Sequence, residues 1–181
     1  MREPLTAQHL TWRNKLGRLV WQLVWLTLYR PSPTPLHAWR CWLLRLFGAR
    51  VAAGAHPYPS ARIWAPWNLT MGRNACLGPD VDCYCVAPVL IGDHATVSQY
   101  SHLCTASHDH RSPSFTLVAA PIHIEAQAWV TAGAFIGPGV RIGTGAVVGA
   151  RAVITKSVAP WNVVAGNPQR VVGQRPPQTR A

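Results

Sequence analysis

Carboxylates are scarce in this 181-residue chain: six Asp and Glu stand against 17 Lys and Arg. The resulting net charge of +11 points to an anionic partner or to an acidic membrane surface. The cations are mostly arginine and are scattered, with Arg13, Arg18, Arg30, Arg40, Arg45 and Arg50 in the first 50 residues. No helix-turn-helix, zinc-finger or RNA-binding pattern accompanies them, so no nucleic acid is expected. A long apolar run is also missing. The stretch from Leu16 to Tyr29 is broken by Arg18 and Gln22. It falls short of the roughly 20 apolar residues that a bilayer-spanning helix needs. The opening Met1–Thr6 is polar and the apolar stretch begins late, so no signal peptide is expected. A cytoplasmic location follows as the expectation, with peripheral contact at the inner face of the membrane left open. The cysteines Cys41, Cys76, Cys83, Cys85 and Cys104 are odd in number, and Cys83 and Cys85 are too close for an ordinary disulfide or zinc knuckle. They read as reduced packing residues. With 49% hydrophobic and 13% charged residues, the chain holds enough apolar material for one folded domain with an appended element.

The N-terminal third has helical periodicity. Residues 10–30 place Trp12, Leu16, Leu19, Leu23 and Leu26 at helical spacing, and Pro31, Pro33 and Pro35 end the helix. A second helix is expected from Leu36 to Phe47, stopped by Gly48, with Arg40 and Arg45 between its apolar positions. Such an arm could cap an open end of the fold that follows, pack on a neighbouring subunit, or lie in a membrane interface.

From residue 63 the texture changes to a period of six. Ile124, Val130, Ile136, Ile142, Val148 and Ile154 recur without a slip. A small or branched residue stands four positions after each, as in Ala128, Ala134 and Val140. Ile91, Val97 and Leu103 form a second run, with Ala95, Ser101 and Ser107 in the fourth places, and Met71, Leu77 and Cys83 a weaker one that Ile63 and Leu69 begin. A short strand turns its aliphatic residue inward, and the small residue fits a tight corner. Three sixes close a triangular coil, and stacked coils form flat parallel sheets around an aliphatic core. An all-β solenoid is therefore expected, organised as a helical arm (1–50), the β-helix (51–168) and a C-terminal tail (169–181).

One segment breaks the register. Residues 109–121 leave the sixes as an excursion loop, and His108 stands at its root. A long loop in a tight repeat is commonly functional, and a histidine there can take a proton at neutral pH. His102, ending the preceding repeat, and His110, in the loop, are its rivals.

Five segments carry a resemblance: Tyr58–Asn68 (YPSARIWAPWN), Val97–Asp109 (VSQYSHLCTASHD), Ile136–Gly143 (IGPGVRIG), Gly149–Lys156 (GARAVITK) and Val164–Pro168 (VAGNP). With them the chain resembles the hexapeptide-repeat acyltransferases, nearest to colanic-acid-type polysaccharide acetyltransferases and to the galactoside, maltose and nodulation-factor sugar O-acetyltransferases. The resemblance implies a left-handed parallel β-helix, a homotrimer with active sites between subunits, and acetyl-CoA as co-substrate with no metal. It implies His108 as the base that deprotonates an acceptor hydroxyl, which attacks the thioester directly. Carried over by position, Trp129, Ala132, Ala150, Thr155 and Lys156 would line the CoA site and Arg170 would meet a phosphate. The family's further basic residue three positions on is replaced here by Gly173, with Arg175 close by. Asp80, Asp82 and Asn68 fall where the sugar enzymes keep acceptor ligands. The implied reaction is acetyl transfer to a sugar hydroxyl of a small-molecule, glycan or glycolipid acceptor. Alternatives are transfer to an amino sugar or a serine-type hydroxyl, and a non-catalytic scaffold anchored through the Trp-rich arm. A carbonic-anhydrase-type site is a further one, drawing ligands from His94, His102, His108, His110 and His123.

Overall fold

The computed structural model describes residues 11–177, so the polar start at Met1–Thr6 and the end of the expected tail lie outside the described residues. Strands of mostly two or three residues stack into three parallel sheets. The first face is built from Arg50–Val51, Leu69–Met71, Val89–Ile91, Ile122–Ile124 and Arg141–Ile142. The second runs from His56–Pro57 to Asn162–Ala165, and the third from Arg62–Ile63 to Val153–Ile154. The strands turn apolar residues inward in strict register, so that Ile63, Cys83, Leu103, Ile136 and Ile154 form one stack on the third face. All five are at most 4% exposed. The six-residue period is thus the period of one face, and three faces make a coil.

Corners demand unusual backbone. The column joining the first face to the second holds Gly54, Asn74, His94, Gln127, Gly145 and Trp161, all at positive φ. Left-handed residues let a chain reverse within two positions, and glycine accepts that conformation without strain. At Gly145 a Cβ would also sit 2.3 Å from the Trp161 ring, so no other residue fits there.

Successive coils place Val51, Met71 and Ile91 20 residues apart, whereas Ile124 and Ile142 are 18 apart. The extra residues lie where the third face returns to the first, as the 3-10 turn Pro66–Asn68 and the segment 85–88. From that same wide corner the third coil departs altogether. The expected loop proves to be a β-hairpin, in which Ala106–His108 pairs antiparallel with Leu117–Ala119. Ser107 accordingly lies on an exposed hairpin strand and not at a corner. Part of the expected tail is also ordered, since Arg170–Gln174 pairs antiparallel with Asn162–Ala165 on the second face.

The arm comprises α1 (Trp12–Val24), a wide turn at Trp25–Tyr29, and α2 (His37–Leu46). It covers the first coil. Carbonyls of that coil have no preceding coil to donate to them, and side chains of the arm take that role. Trp21 Nε1 donates to Ile63 O (2.7 Å), Trp25 Nε1 to Ala61 O (2.8 Å), Arg40 Nε to Pro57 O (2.7 Å), Cys41 Sγ to Ala55 O (3.3 Å) and Arg45 Nε to Val51 O (2.8 Å). Arg40, expected between apolar positions of α2, is fully buried. Its guanidinium also donates to Ser32 Oγ (2.9 Å), Pro33 O (2.8 Å) and Thr34 O, tying the proline-rich turn to the solenoid.

Two outcomes test this arrangement. Replacing Arg40 by Met removes a donor from the buried Pro57 O, where an unpaired acceptor costs about 1–3 kcal/mol, and from the part-buried Pro33 O and Thr34 O. Arg40→Met should therefore lower unfolding stability by at least about 2 kcal/mol in denaturant titration. A midpoint equal to wild type would show that the guanidinium is dispensable. His37 is the second case. Its Nδ1 lies 3.1 Å from Pro57 O, to which it can donate, and 3.0 Å from the Arg40 guanidinium, whose positive charge disfavours a protonated ring. Burial holds its pKa below the ordinary 6.5, with Arg40 and His56 adding to that effect and Pro57 O opposing it. A depressed folded-state pKa means the unfolded chain binds the proton more readily. The associated stability is present above pH 6.5 and is lost as pH falls through the folded-state pKa. His37→Gln should flatten that acid limb of the melting-temperature profile, and an unchanged profile would remove His37 as its source.

Candidate active site

The hairpin stands on a buried polar root. Thr105 Oγ1 donates to Tyr84 O (2.8 Å) and accepts from Ala87 N (3.0 Å), while Ala120 N returns to Thr105 O (2.9 Å). Ala87, Ala106 and Ala119 pack into a small cluster beside it. This root fixes where the strand Ala106–His108 leaves the solenoid.

His108 ends that strand opposite Leu117 and is exposed. Its Nδ1 lies 2.6 Å from the carbonyl oxygen of Phe115, a residue held at φ 45° by the hairpin tip. A carbonyl oxygen only accepts, so Nδ1 carries the hydrogen and donates it. Nε2 then bears the lone pair and faces away from that bond. Hydrogen bonding at one ring nitrogen fixes what the other can do, and here it leaves a proton acceptor. The tip is itself braced, since Asp109 N donates to Thr116 O (2.9 Å) and the hydroxyls of Ser112, Ser114 and Thr116 contact one another.

The rival histidines occupy different settings. His102 lies on the third face, its ring 5.6 Å from that of Phe135 and its Nε2 4.0 Å from Asp82 Oδ2. That Nε2 is buried and lacks a hydrogen bond. His110 is exposed in the hairpin tip. His94 sits at a corner and His123 on the first face. Among the described residues, no three His, Cys, Asp or Glu side chains converge within one chain.

The expected donor-site residues gather toward the far end of the solenoid. Ala132 and Ala150 occupy one corner in successive coils, joined by Arg151 N donating to Ala132 O (2.9 Å). Trp129 projects from the second face, 46% exposed, with Nε1 donating to Ser98 Oγ (2.9 Å). Thr155 and Lys156 lie at the next corner, where both backbone N–H groups donate to Gln169 Oε1 (3.0 Å each). Gln169 Nε2 returns to Lys156 O (3.0 Å), so the Ala165–Pro168 turn is folded back and Arg170 follows directly, exposed. Arg175 is directed elsewhere, donating to Gln127 O (3.0 Å) and Gly145 O (3.4 Å). Ser98, Gln169 and the Phe115 carbonyl have no sequence signature, because each acts through a partner distant along the chain.

The expected acceptor residues sit lower down. Asp80 is an exposed corner residue whose N–H donates to Ser60 Oγ (3.0 Å). Asp80 and Asp82 share a cleft with Trp25, Arg30, Ser60 and Arg62, between the arm and the third face. Asn68 donates both amide hydrogens to Cys85 O (3.0 Å) and Val86 O (2.8 Å), leaving its oxygen for other partners. It lines a cleft with Arg18, Trp64, Tyr84 and Leu117, the last opposite His108 across the hairpin. Asp93 and Glu125 serve as braces. Asp93 accepts from Arg73, and Glu125 from Thr144 and Arg141, each across adjacent coils. Hydrogen bonds from Arg73 hold the Asp93 pKa below its ordinary value, and those from Thr144 do the same for Glu125.

No family model matches the chain. WcaF of Escherichia coli K12, assigned as a colanic acid biosynthesis acetyltransferase, is 46% identical over 163 residues, which is 90% of this chain and 89% of WcaF. Among solved structures, a hexapeptide-repeat acetyltransferase from Vibrio cholerae O1 biovar eltor, complexed with acetyl-CoA, matches with a TM-score of 0.77 and 25% identity, covering 91% of this chain and 90% of that one. A galactoside acetyltransferase in complex with coenzyme A matches with a TM-score of 0.73 and 26% identity, covering 88% and 81%.

Proposed function

The chain belongs to the hexapeptide-repeat acetyltransferases, and from that premise we propose that it moves acetyl from acetyl-CoA to a hydroxyl of a sugar in polysaccharide or glycolipid assembly. The 2.6 Å contact from His108 Nδ1 to Phe115 O carries the reading, because it leaves Nε2 as a positioned base. Nε2 takes the proton of the acceptor hydroxyl as its oxygen bonds to the thioester carbonyl carbon. The carbon–sulfur bond then breaks, and the CoA thiolate recovers the proton from the imidazolium. While the ring is charged, the Phe115 carbonyl stabilises its Nδ1–H, a role analogous to that of the buried carboxylate in a hydrolase triad.

Acetyl-CoA would lie along Trp129, Ala132, Ala150, Thr155 and Lys156, with Arg170 toward its phosphates. His108 leaves the solenoid on the hairpin of the third coil, whereas Trp129 lies on the second face and Ala132 and Ala150 at the corner between the second and third faces. That separation supports a homotrimer, in which the base of one subunit works on the donor bound beside its neighbour. Asp80, Asp82 and Asn68 would hold the acceptor, since carboxylates and amides beside Trp64 suit the alternating polar and apolar faces of a sugar. The 46% identity to WcaF supports a polysaccharide acceptor.

Thiol release from acetyl-CoA, measured against a panel of sugars and glycolipid precursors, tests the base. His108→Ala should lower turnover by about 10²–10⁴. Wild-type turnover in that variant would exclude His108 as the base. For the donor site, Lys156→Ala with Arg170→Ala should raise KM for acetyl-CoA about tenfold, from lost charge-assisted bonds, while kcat changes little. An unchanged KM would move the phosphates elsewhere.

A further inference from the structure

The arm has two apolar sides, and only one packs against the first coil. Trp21, Trp25 and Tyr29 are buried on the inner side. On the outer side, Trp12, Leu16, Leu19, Val20 and Leu23 recur at helical spacing along α1, between 45% and 68% exposed. α2 adds Trp39, Trp42 and Leu46 at the same spacing, again exposed. The two stripes meet where Trp39 Nε1 donates to Leu28 O (3.0 Å), and Trp39 stacks on Trp42 with ring centroids 5.1 Å apart. Continuous exposed apolar surface of this kind marks a docking face.

Charge identifies the occupant. Between Glu3 and Asp80 the chain has no carboxylate. Among the described residues, the exposed charges of the arm and its exit are Arg13, Lys15, Arg30, Arg45 and Arg50, all cationic. A second copy docked by the same face would bring these like charges together. Other faces of a copy offer little in exchange, because Asp93 and Glu125 are already paired with Arg73 and Arg141, and Asp80 and Asp82 face the cleft that Arg30 and Arg62 also line. An anionic bilayer complements both features. Its interface accepts tryptophan rings and leucines, and its headgroups attract flanking arginines and lysines.

We propose that the outer stripe of α1 and α2 docks this protein on an anionic lipid bilayer, with both helices lying in the interface. The attachment is peripheral: among the described residues no helix is long and apolar enough to cross a membrane. Attraction to headgroups and burial of the stripe act together, as stable interfacial anchoring requires more than one signal.

Sedimentation of the full chain with vesicles tests this. Vesicles of phosphatidylglycerol and phosphatidylcholine should carry the protein down, less so at high salt, and pure phosphatidylcholine should carry little. Leu19→Glu with Leu23→Glu alters only exposed positions and should weaken sedimentation at least about tenfold. Thiol release with a soluble acceptor and the mass in solution by light scattering should stay at wild-type values. Arg13→Glu with Lys15→Glu should weaken binding to the phosphatidylglycerol vesicles about tenfold. Failure of the wild type to sediment would overturn the proposal, as would equal sedimentation with both vesicle types. A glutamate pair that changes the mass in solution while leaving sedimentation intact would make the stripe a contact between copies instead.

Discussion

A parallel solenoid ends in rows of backbone groups that the next coil would have satisfied, and everything at the N-terminal end depends on how those rows are closed. Carbonyls of each coil accept from the preceding one, as when Ala52 N donates to Met71 O. The first coil has no predecessor, so six of its carbonyls are met by side chains of Trp21, Trp25, Arg40, Cys41 and Arg45. An unpaired edge is both a cost in hydrogen bonding and a template for association. The arm supplies donors at irregular spacing because they must reach three faces at once. That demand explains its composition better than a need for apolar cover alone, since indole and guanidinium groups combine apolar bulk with an N–H at the tip.

The wide corner controls the site in a similar way. Where the third face returns to the first, the early coils already carry two extra residues, held by Asn68 and by Thr105. An insertion at that corner disturbs no stacked aliphatic residue, because Leu103 and Ile124 keep their places in the core on either side of it. A hairpin can therefore grow there while the repeat continues, and its rigidity comes from its own pairing and from the Thr105 root. His108 takes its position and its tautomer from a carbonyl seven residues away, so the proposed base is oriented by the hairpin and not by the solenoid.

Much of this architecture was readable in the sequence because one aliphatic residue per six is a one-dimensional signal. It names the inward residue of each strand before any contact is known, and Ile124 through Ile154 are all buried as that pattern requires. The arm was legible as two helices but not as to which side turns inward. Leu19 and Leu23 are exposed while Trp21 and Trp25 are buried, and both sets share the helical period, so periodicity alone could not choose between them. The burial of Arg40 was equally hidden, since its acceptors at Pro33, Thr34 and Pro57 come together only on folding. Around the candidate site, His108 was marked in the sequence because the register stops there. The Phe115 carbonyl and Gln169 were not, because a backbone oxygen has no residue type and a lone glutamine has no pattern.

The charge imbalance can now be divided by location. Of the carboxylates in the described residues, Asp93 and Glu125 brace coils and Asp109 accepts from Arg111 N within the hairpin, which leaves Asp80 and Asp82 facing the cleft beneath the arm. Two groups of unbalanced cations lie at opposite ends of the solenoid. Arg13, Lys15 and Arg45 ring the outer stripe of the arm, while Lys156 and Arg170 flank the folded-back turn at the opposite end. A single nucleic-acid surface would have joined these groups into one stripe. The two anionic ligands proposed above, a lipid headgroup layer and the phosphates of a thioester cofactor, would each meet one of these groups. Under that division, membrane docking and donor binding use different residues at different ends, so a substitution in one cluster should leave the other's function intact.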